Sequence, residues 1–181
     1  MDFTSNYFEI FGLPVSYQVD LTLLSDRYRS MQRKFHPDRY ASKPAQEQRL
    51  AVQYAAVINQ AYTELSSPLL RAQYLLSLKN MDSAMDSTGD VKITRDPQFL
   101  MQQIELREKL ADLSEAEAND AFAILGEVAG QAKSDYIGLQ QVFDQQYSCS
   151  DFQSAEETVA KMQFFSKLLN ETEQLEQELD D

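Results

Sequence analysis

Residues 28–38 read Tyr28-Arg29-Ser30-Met31-Gln32-Arg33-Lys34-Phe35-His36-Pro37-Asp38, and this stretch decides the fold of the first half of the chain. Counted at about 100° per residue, Leu21, Leu24, Tyr28, Met31 and Phe35 fall on one stripe, so the segment reads as an amphipathic helix with that stripe turned to a core. Asp20 suits its N-cap, where a carboxylate accepts from the free amides of the first turn. Pro37 ends it, because the residue before a proline is pushed out of the α region. Pro44 suits the start of a second long helix reaching Ser66, and so short a loop makes helices 20–35 and 44–66 antiparallel neighbours. His36-Pro37-Asp38 is then held out on a stiff turn beside a basic face, where Arg29 and Arg33 lie one turn apart and Lys34 and Arg27 occupy the other flank. Two readings fit these residues: a recognition surface for an acidic partner, or a capped turn next to a solvated basic face.

Outward from this pair the chain reads as helical throughout. Ser67-Pro68 suits the N-cap and first position of a further helix. All five prolines lie at or before residue 97, which leaves the remainder free to run as long helices. Asp96-Pro97, Ser114 with Glu117 as a capping box, and Asp151 or Ser154 mark three helix starts in the second half. Gly126 and Gly130, one turn apart, suggest close helix contact. The expected fold is therefore all-α, with an amino-terminal antiparallel helix pair and short flanking helices over 1–79 and a three-helix bundle over 97–181. Residues 80–96 carry Asp82, Asp86, Asp90 and Asp96 with Ser, Thr and Gly and no apolar period, the composition of a linker.

The chain has 181 residues and 43% hydrophobic side chains, a globular composition large enough for its own core. Its net charge of -13 speaks against bulk nucleic-acid binding. That total hides a division: residues 1–80 hold 9 Lys/Arg against 7 Asp/Glu, and residues 81–181 hold 7 against 22. Within the first part, Arg27 to Arg49 form a local basic patch. The longest apolar runs, Tyr54 to Ile58 and Ala121 to Leu125, are far short of the roughly 20 residues that span a bilayer. The amino terminus has the pattern of neither a signal peptide nor a presequence. A single cysteine, Cys149, suits a reducing compartment and supplies no disulfide or metal tetrad. A cytoplasmic monomer without a cofactor is expected.

The first helix of the second half has two apolar sides. Phe99, Leu106, Leu110 and Leu113 share one face; Leu100, Met101 and Ile104 fall on another together with Glu105, Glu108 and Asp112. The acid-rimmed face suits docking of a partner with apolar and basic residues, or else bundle neighbours cover both faces. Phe164 and Phe165 are adjacent and cannot point the same way, so one is core and the other is a candidate for the surface.

The stretch 28–38, with Ile58-Asn59-Gln60-Ala61-Tyr62 after it and Tyr7-Phe8-Glu9-Ile10-Phe11-Gly12-Leu13-Pro14 before it, resembles a J-domain, the module that stimulates DnaK-type chaperone ATPases. The resemblance implies that His36, Pro37, Asp38 and the basic side chains Arg29, Arg33, Lys34 and Arg39 engage the ATPase; Arg39 stands where lysine is usual. Phe99 to Glu108, Ser66 to Leu76 and Lys161 to Phe165 extend the likeness over nearly the whole chain to the HscB family of co-chaperones. That family delivers the iron-sulfur scaffold protein IscU to the chaperone HscA. The resemblance places Leu100, Met101, Ile104, Glu105, Glu108, Asp112 and Phe164 on the scaffold-binding face, with Ile104 where leucine is common and Asp112 where glutamate is common. The cysteine tetrad of some eukaryotic relatives is absent from the sequence, which points to a bacterial type.

An enzyme would need His36 as a base oriented by Asp38, yet residues flanking a proline in a loop do not obviously aim at each other, and no ordered nucleophile, Walker loop or dinucleotide fingerprint accompanies them. A co-chaperone that is not an enzyme is expected. The alternative is a general J-protein whose bundle holds another client.

Overall fold

The computed structural model describes residues 6–83, 96–115 and 118–180, and among these all regular structure is helical. Contacts divide the chain into two compact units, Met1–Met85 and Asp86–Asp181.

The first unit contains α1 (Tyr7–Ile10), α2 (Leu21–Phe35), α3 (Ala45–Ser66) and α4 (Pro68–Ser83). Asp20 caps α2 by accepting from the amides of Thr22 at 2.9 Å and Leu23 at 3.0 Å. Tyr28 stacks on Tyr62 with centroids 4.0 Å apart, and Phe35 meets Tyr54 at 5.1 Å. The partner's number falls as that of α2 rises, so the two helices are antiparallel. Carried one turn back, this register sets Leu24 opposite the end of α3. Leu24 is fully buried, while Leu21 is 50% exposed, because no residue of α3 remains to cover it; the expected stripe is one residue too long.

After α1 the chain turns at Gly12, whose φ of 60° lies in the left-handed region. The amides of Gly12 and Leu13 return to the carbonyls of Glu9 and Phe8 at 2.9 and 2.8 Å. Arg27 reaches across from α2 and donates to the carbonyls of Phe11 and Gly12. Its charge ties the turn to α2 and is not part of the open basic face, contrary to the sequence reading. At the other corner Arg71, only 6% exposed, donates to Leu65 O at 2.8 Å and Tyr17 O at 2.6 Å. A cation so buried needs such partners. The Tyr7 amide donates to the Tyr74 hydroxyl at 2.9 Å, the rings stack at 4.4 Å, and burial pushes the Tyr74 phenol above its ordinary value. Helix α4 continues to Ser83, past the expected boundary at residue 79, since neither glycine nor proline stands among residues 80–83 to break it. The expected linker between 84 and 95 lies outside the described residues.

The second unit is built from α5 (Pro97–Ala111), α6 (Ala118–Ser148) and α7 (Phe152–Asp180). Helices α6 and α7 form a long hairpin that reverses at Ser150, with φ 63°, and Asp151 caps α7 by accepting from Ser154 N at 3.2 Å. Across α5, Gln102 bonds Asp135 at 2.6 Å and Lys109 pairs with Glu127, so α5 runs antiparallel to α6. Asp96 pairs with Lys161 and Arg107 with Glu171, which makes α5 parallel to α7. Phe99, Leu106, Val128, Ala132, Phe165 and Leu168 fill the core between them. Ser114 lies in a 3-10 turn, Asp112–Glu115, ahead of α6, and its expected box partner Glu117 lies outside the described residues. Gly126 and Gly130 are exposed and a Cβ on either would meet nothing within 4 Å, so they mark no helix contact; Leu125, Val128 and Ala132 take that role on the opposite side of α6.

Two outcomes follow from these anchors. Asp96 uses one oxygen to cap α5, accepting from Gln98 N at 3.0 Å and Phe99 N at 3.3 Å, and the other to meet Lys161 at 2.6 Å. The lysine contact first, and the amides after it, hold its carboxyl below the ordinary value of 3.8. A depressed folded-state value means that its contribution to stability is present above 3.8 and is lost as pH falls through the lowered value. Asp96→Asn keeps a capping oxygen but loses the ion pair, so its melting temperature falls below that of the parent at neutral pH, and the gap closes on acidification in a pH series of thermal melts. Gly126→Ala and Gly130→Ala each stabilise α6 by about 0.5–1 kcal/mol, read as a raised denaturation midpoint; a loss of stability in either variant contradicts the open placement of these glycines.

Candidate functional site

A helix leaves its last carbonyls without partners, and at the end of α2 the chain offers little relief, because Pro37 has no amide hydrogen. Side chains from beyond the proline fill the gap. Arg39 Nη1 donates to Arg33 O at 3.0 Å, where its charge also suits the negative end of the helix dipole. The hydroxyl of Tyr40 lies 3.5 Å from Lys34 O. The main chain folds into a 3-10 turn, Pro37–Tyr40, with Arg39 N donating to His36 O at 3.0 Å and Asp38 N to His36 Nδ1 at 3.4 Å. That turn brings Asp38 Oδ2 to 3.6 Å from His36 Nδ1, so the two side chains approach each other more closely than the sequence suggested. Both face solvent, the histidine 57% and the aspartate 90% exposed. Such a turn offers hydrogen bonds and charge to an incoming surface.

Arg29, Gln32, Arg33, His36 and Arg39 line an open recess of about 490 Å³ beside the turn. Four of these were legible as candidates. Lys34 and Asp38 stand outside the lining: Lys34 Nζ lies over the Phe35 ring, 5.2 Å from its centroid, and Asp38 projects outward. Arg29 is steadied by Asp26 at 3.7 Å. Gln32 is the residue that charge counting missed, although its place one turn after Arg29 on the same face was available to find it.

In the second unit the two faces of α5 part company. Phe99 and Leu106 are buried and Leu110 packs against the core, whereas Leu100, Met101 and Ile104 are 41%, 61% and 54% exposed. The bundle therefore covers one face only. Glu105, Glu108 and Asp112 are exposed beside the uncovered apolar residues. Phe165 is buried at 1% and Phe164 half-buried, edge-on to Phe99 with centroids 5.6 Å apart. A second open recess, of about 430 Å³, is lined by Gln103, Ile104, Arg107, Glu108, Ala111 and Phe164. It joins Ile104 and Glu108 of α5 to Phe164 of α7, residues that the family resemblance puts on one face but that helical period by itself does not bring together. Leu100, Met101, Glu105 and Asp112 lie on the same face outside this recess. Arg107, held by Glu171, and Gln103 enter the site from its flank and were not among the sequence candidates. Among the described residues no group of three or more His, Cys, Asp or Glu could hold a metal ion, and no helix is long and apolar enough to cross a membrane.

An antiparallel helix pair closed by His36-Pro37-Asp38, followed by a helical unit with one uncovered face, defines a co-chaperone with a J-domain at its amino end. Comparison with known proteins narrows the class. A family model described as the HSCB C-terminal oligomerisation domain matches residues 95–173. The co-chaperone protein HscB homologs of Aeromonas salmonicida and Photobacterium profundum are 43% and 40% identical over 175 and 174 residues, spanning 96% and 95% of this chain and 98% and 97% of theirs. The solved structure of chaperone HscB from Vibrio cholerae matches with a TM-score of 0.82 at 36% identity, covering 97% of this chain and 99% of that one. Human co-chaperone protein HscB matches with a TM-score of 0.84 at 29% identity, over 97% and 84% of the two chains. This chain belongs to the HscB family of co-chaperones.

Proposed function

We propose that the protein stimulates the ATPase of a DnaK-type chaperone of the HscA kind and delivers to it the iron-sulfur scaffold protein IscU, in support of cluster transfer. The observation that carries this reading is the uncovered face of α5, where three apolar side chains between 41% and 61% exposed stand among carboxylates. Exposed apolar residues in such a group mark a contact surface. A scaffold presenting apolar and basic groups to Leu100, Met101, Ile104, Glu105, Glu108, Asp112 and Phe164 would satisfy both chemistries. The basic recess around His36 supports the other half of the reading, since its charge calls for an acidic surface on the ATPase. Holding the client with one unit and engaging the chaperone with the other raises the client's effective concentration at the chaperone.

We take the working form to be a cytoplasmic monomer without a cofactor. The 22 acidic against 7 basic residues of 81–181 oppose self-association, although the matched family is described in terms of oligomerisation. A general J-protein with another client remains the second reading, favoured if the α5 face binds some protein other than the scaffold.

The experiment is the steady-state ATPase rate of an HscA-type chaperone with this protein, with and without scaffold. Stimulation amplified by scaffold and abolished by His36→Gln is expected; no stimulation by the parent protein overturns the co-chaperone mechanism, and stimulation indifferent to scaffold favours the second reading. Glu105→Lys reverses a charge on the uncovered face and is expected to weaken scaffold binding by calorimetry about tenfold or more, with scaffold-free stimulation intact. Equal loss of both would mean that the two surfaces do not act separately.

A further inference from the structure

The recess beside the His36 turn is not uniformly cationic. Among its lining residues, Arg29, Arg33, His36 and Arg39 carry or can carry positive charge, and Gln32 does not. Its amide group is oriented by a small polar network that runs back to the next helix. Gln32 Nε2 donates to the Tyr28 hydroxyl and to Asn59 Oδ1, the latter at 3.3 Å. The Tyr28 hydroxyl in turn donates to Asn59 Oδ1 at 3.1 Å, and the Tyr28 ring is fixed by its stack on Tyr62 at 4.0 Å. A carboxamide has a donor end and an acceptor end, and here the donor nitrogen meets two acceptors within the unit. What Gln32 can present to an incoming surface is its carbonyl, Oε1. A freely turning glutamine would offer donor or acceptor alike; this one is set to offer the acceptor.

We propose that Gln32 is a recognition contact for the chaperone ATPase, its carbonyl accepting a hydrogen bond from an uncharged or cationic donor placed among the carboxylates that meet Arg29 and Arg33. This rests on the co-chaperone reading above and adds to it what charge complementarity alone does not supply. Arginines and lysines attract any acidic surface. A single oriented acceptor among them favours a surface that has a donor at that point, because a partner with only carboxylates would bring lone pairs against a lone pair. The network gives Tyr28 and Asn59 a positioning role, since they act through Gln32.

The test uses the full chain and an HscA-type chaperone, with the co-chaperone concentration for half-maximal ATPase stimulation as the readout and thermal melts alongside. Gln32→Met keeps the shape of the side chain and removes the acceptor, and raises that concentration about fivefold to tenfold, the worth of one lost neutral hydrogen bond. Tyr28→Phe retains Gln32 and the ring stack but releases one of the amide's anchors, and raises it by a smaller factor, about two- to threefold. Both variants melt within a few degrees of the parent. Half-maximal concentrations equal to that of the parent in Gln32→Met overturn the proposal, as does a large fall in melting temperature with binding unaltered, which would make the network a structural brace. If the parent protein fails to stimulate the ATPase at all, it is the co-chaperone mechanism that fails.

Discussion

A proline has no amide hydrogen to give and disfavours the α region in the residue before it, and the placement of this one residue type governs where helices can run in the chain. Pro37 stops α2; Pro44 stands at the N-cap of α3; Pro68 and Pro97 open α4 and α5. Beyond Pro97 the sequence has none, and there α6 and α7 extend to 31 and 29 residues. The stop at Pro37 has the largest consequence. It strands the carbonyls of α2, and the side chains that come back to satisfy them, Arg39 and Tyr40, close the turn from which His36 and Asp38 project. The turn is held in shape by the demand for hydrogen-bond partners at a helix end.

The two units solve different electrostatic problems. In the first, cations are sorted by environment: Arg71 is buried and bound to two carbonyls, Arg27 is tied to the turn after α1, and Arg29, Arg33 and Arg39 remain around the recess. Of these, only the last group stands open to a partner, so a bare count of arginines overstates the charge the recess presents. In the second, the carboxylates that join helices, Asp96, Glu127, Asp135 and Glu171, are met by Lys161, Lys109, Gln102 and Arg107. Those of the α5 face, Glu105, Glu108 and Asp112, are left to solvent beside exposed apolar groups. Leaving apolar area in water is unfavourable for an isolated chain, and the arrangement makes sense as a surface that a partner completes.

Much of this was legible in the residues. Helix starts at Asp20, Ser67-Pro68, Asp96-Pro97 and Asp151 follow from capping chemistry that acts within a few residues, and the stops of α2 and α3 follow from the prolines after them. The doubled apolar pattern of α5 announced two faces. Three of the departures come from contacts distant along the chain. Leu21 belongs to the apolar stripe by angle, and only the register against α3 leaves it uncovered. Gly126 and Gly130 have the spacing of a close contact, yet α6 turns them outward. Arg27 looks like its neighbours until the turn at Gly12 is seen to come within its reach.

The sequence by itself determined the helical class, the starts of α2, α3, α4, α5 and α7, the stops of α2 and α3 and the division of charge, because each depends on side-chain period, backbone restriction or composition read over a few turns, whereas the candidate residues of the two faces came in part from resemblance to a known family. Tertiary structure decided that the bundle leaves the second face of α5 uncovered, that Ile104, Glu108 and Phe164 line one recess, and that Tyr28 and Asn59 orient Gln32. Those outcomes depend on contacts between residues 27 or more positions apart, and no local preference of the chain sets the register at which distant helices meet.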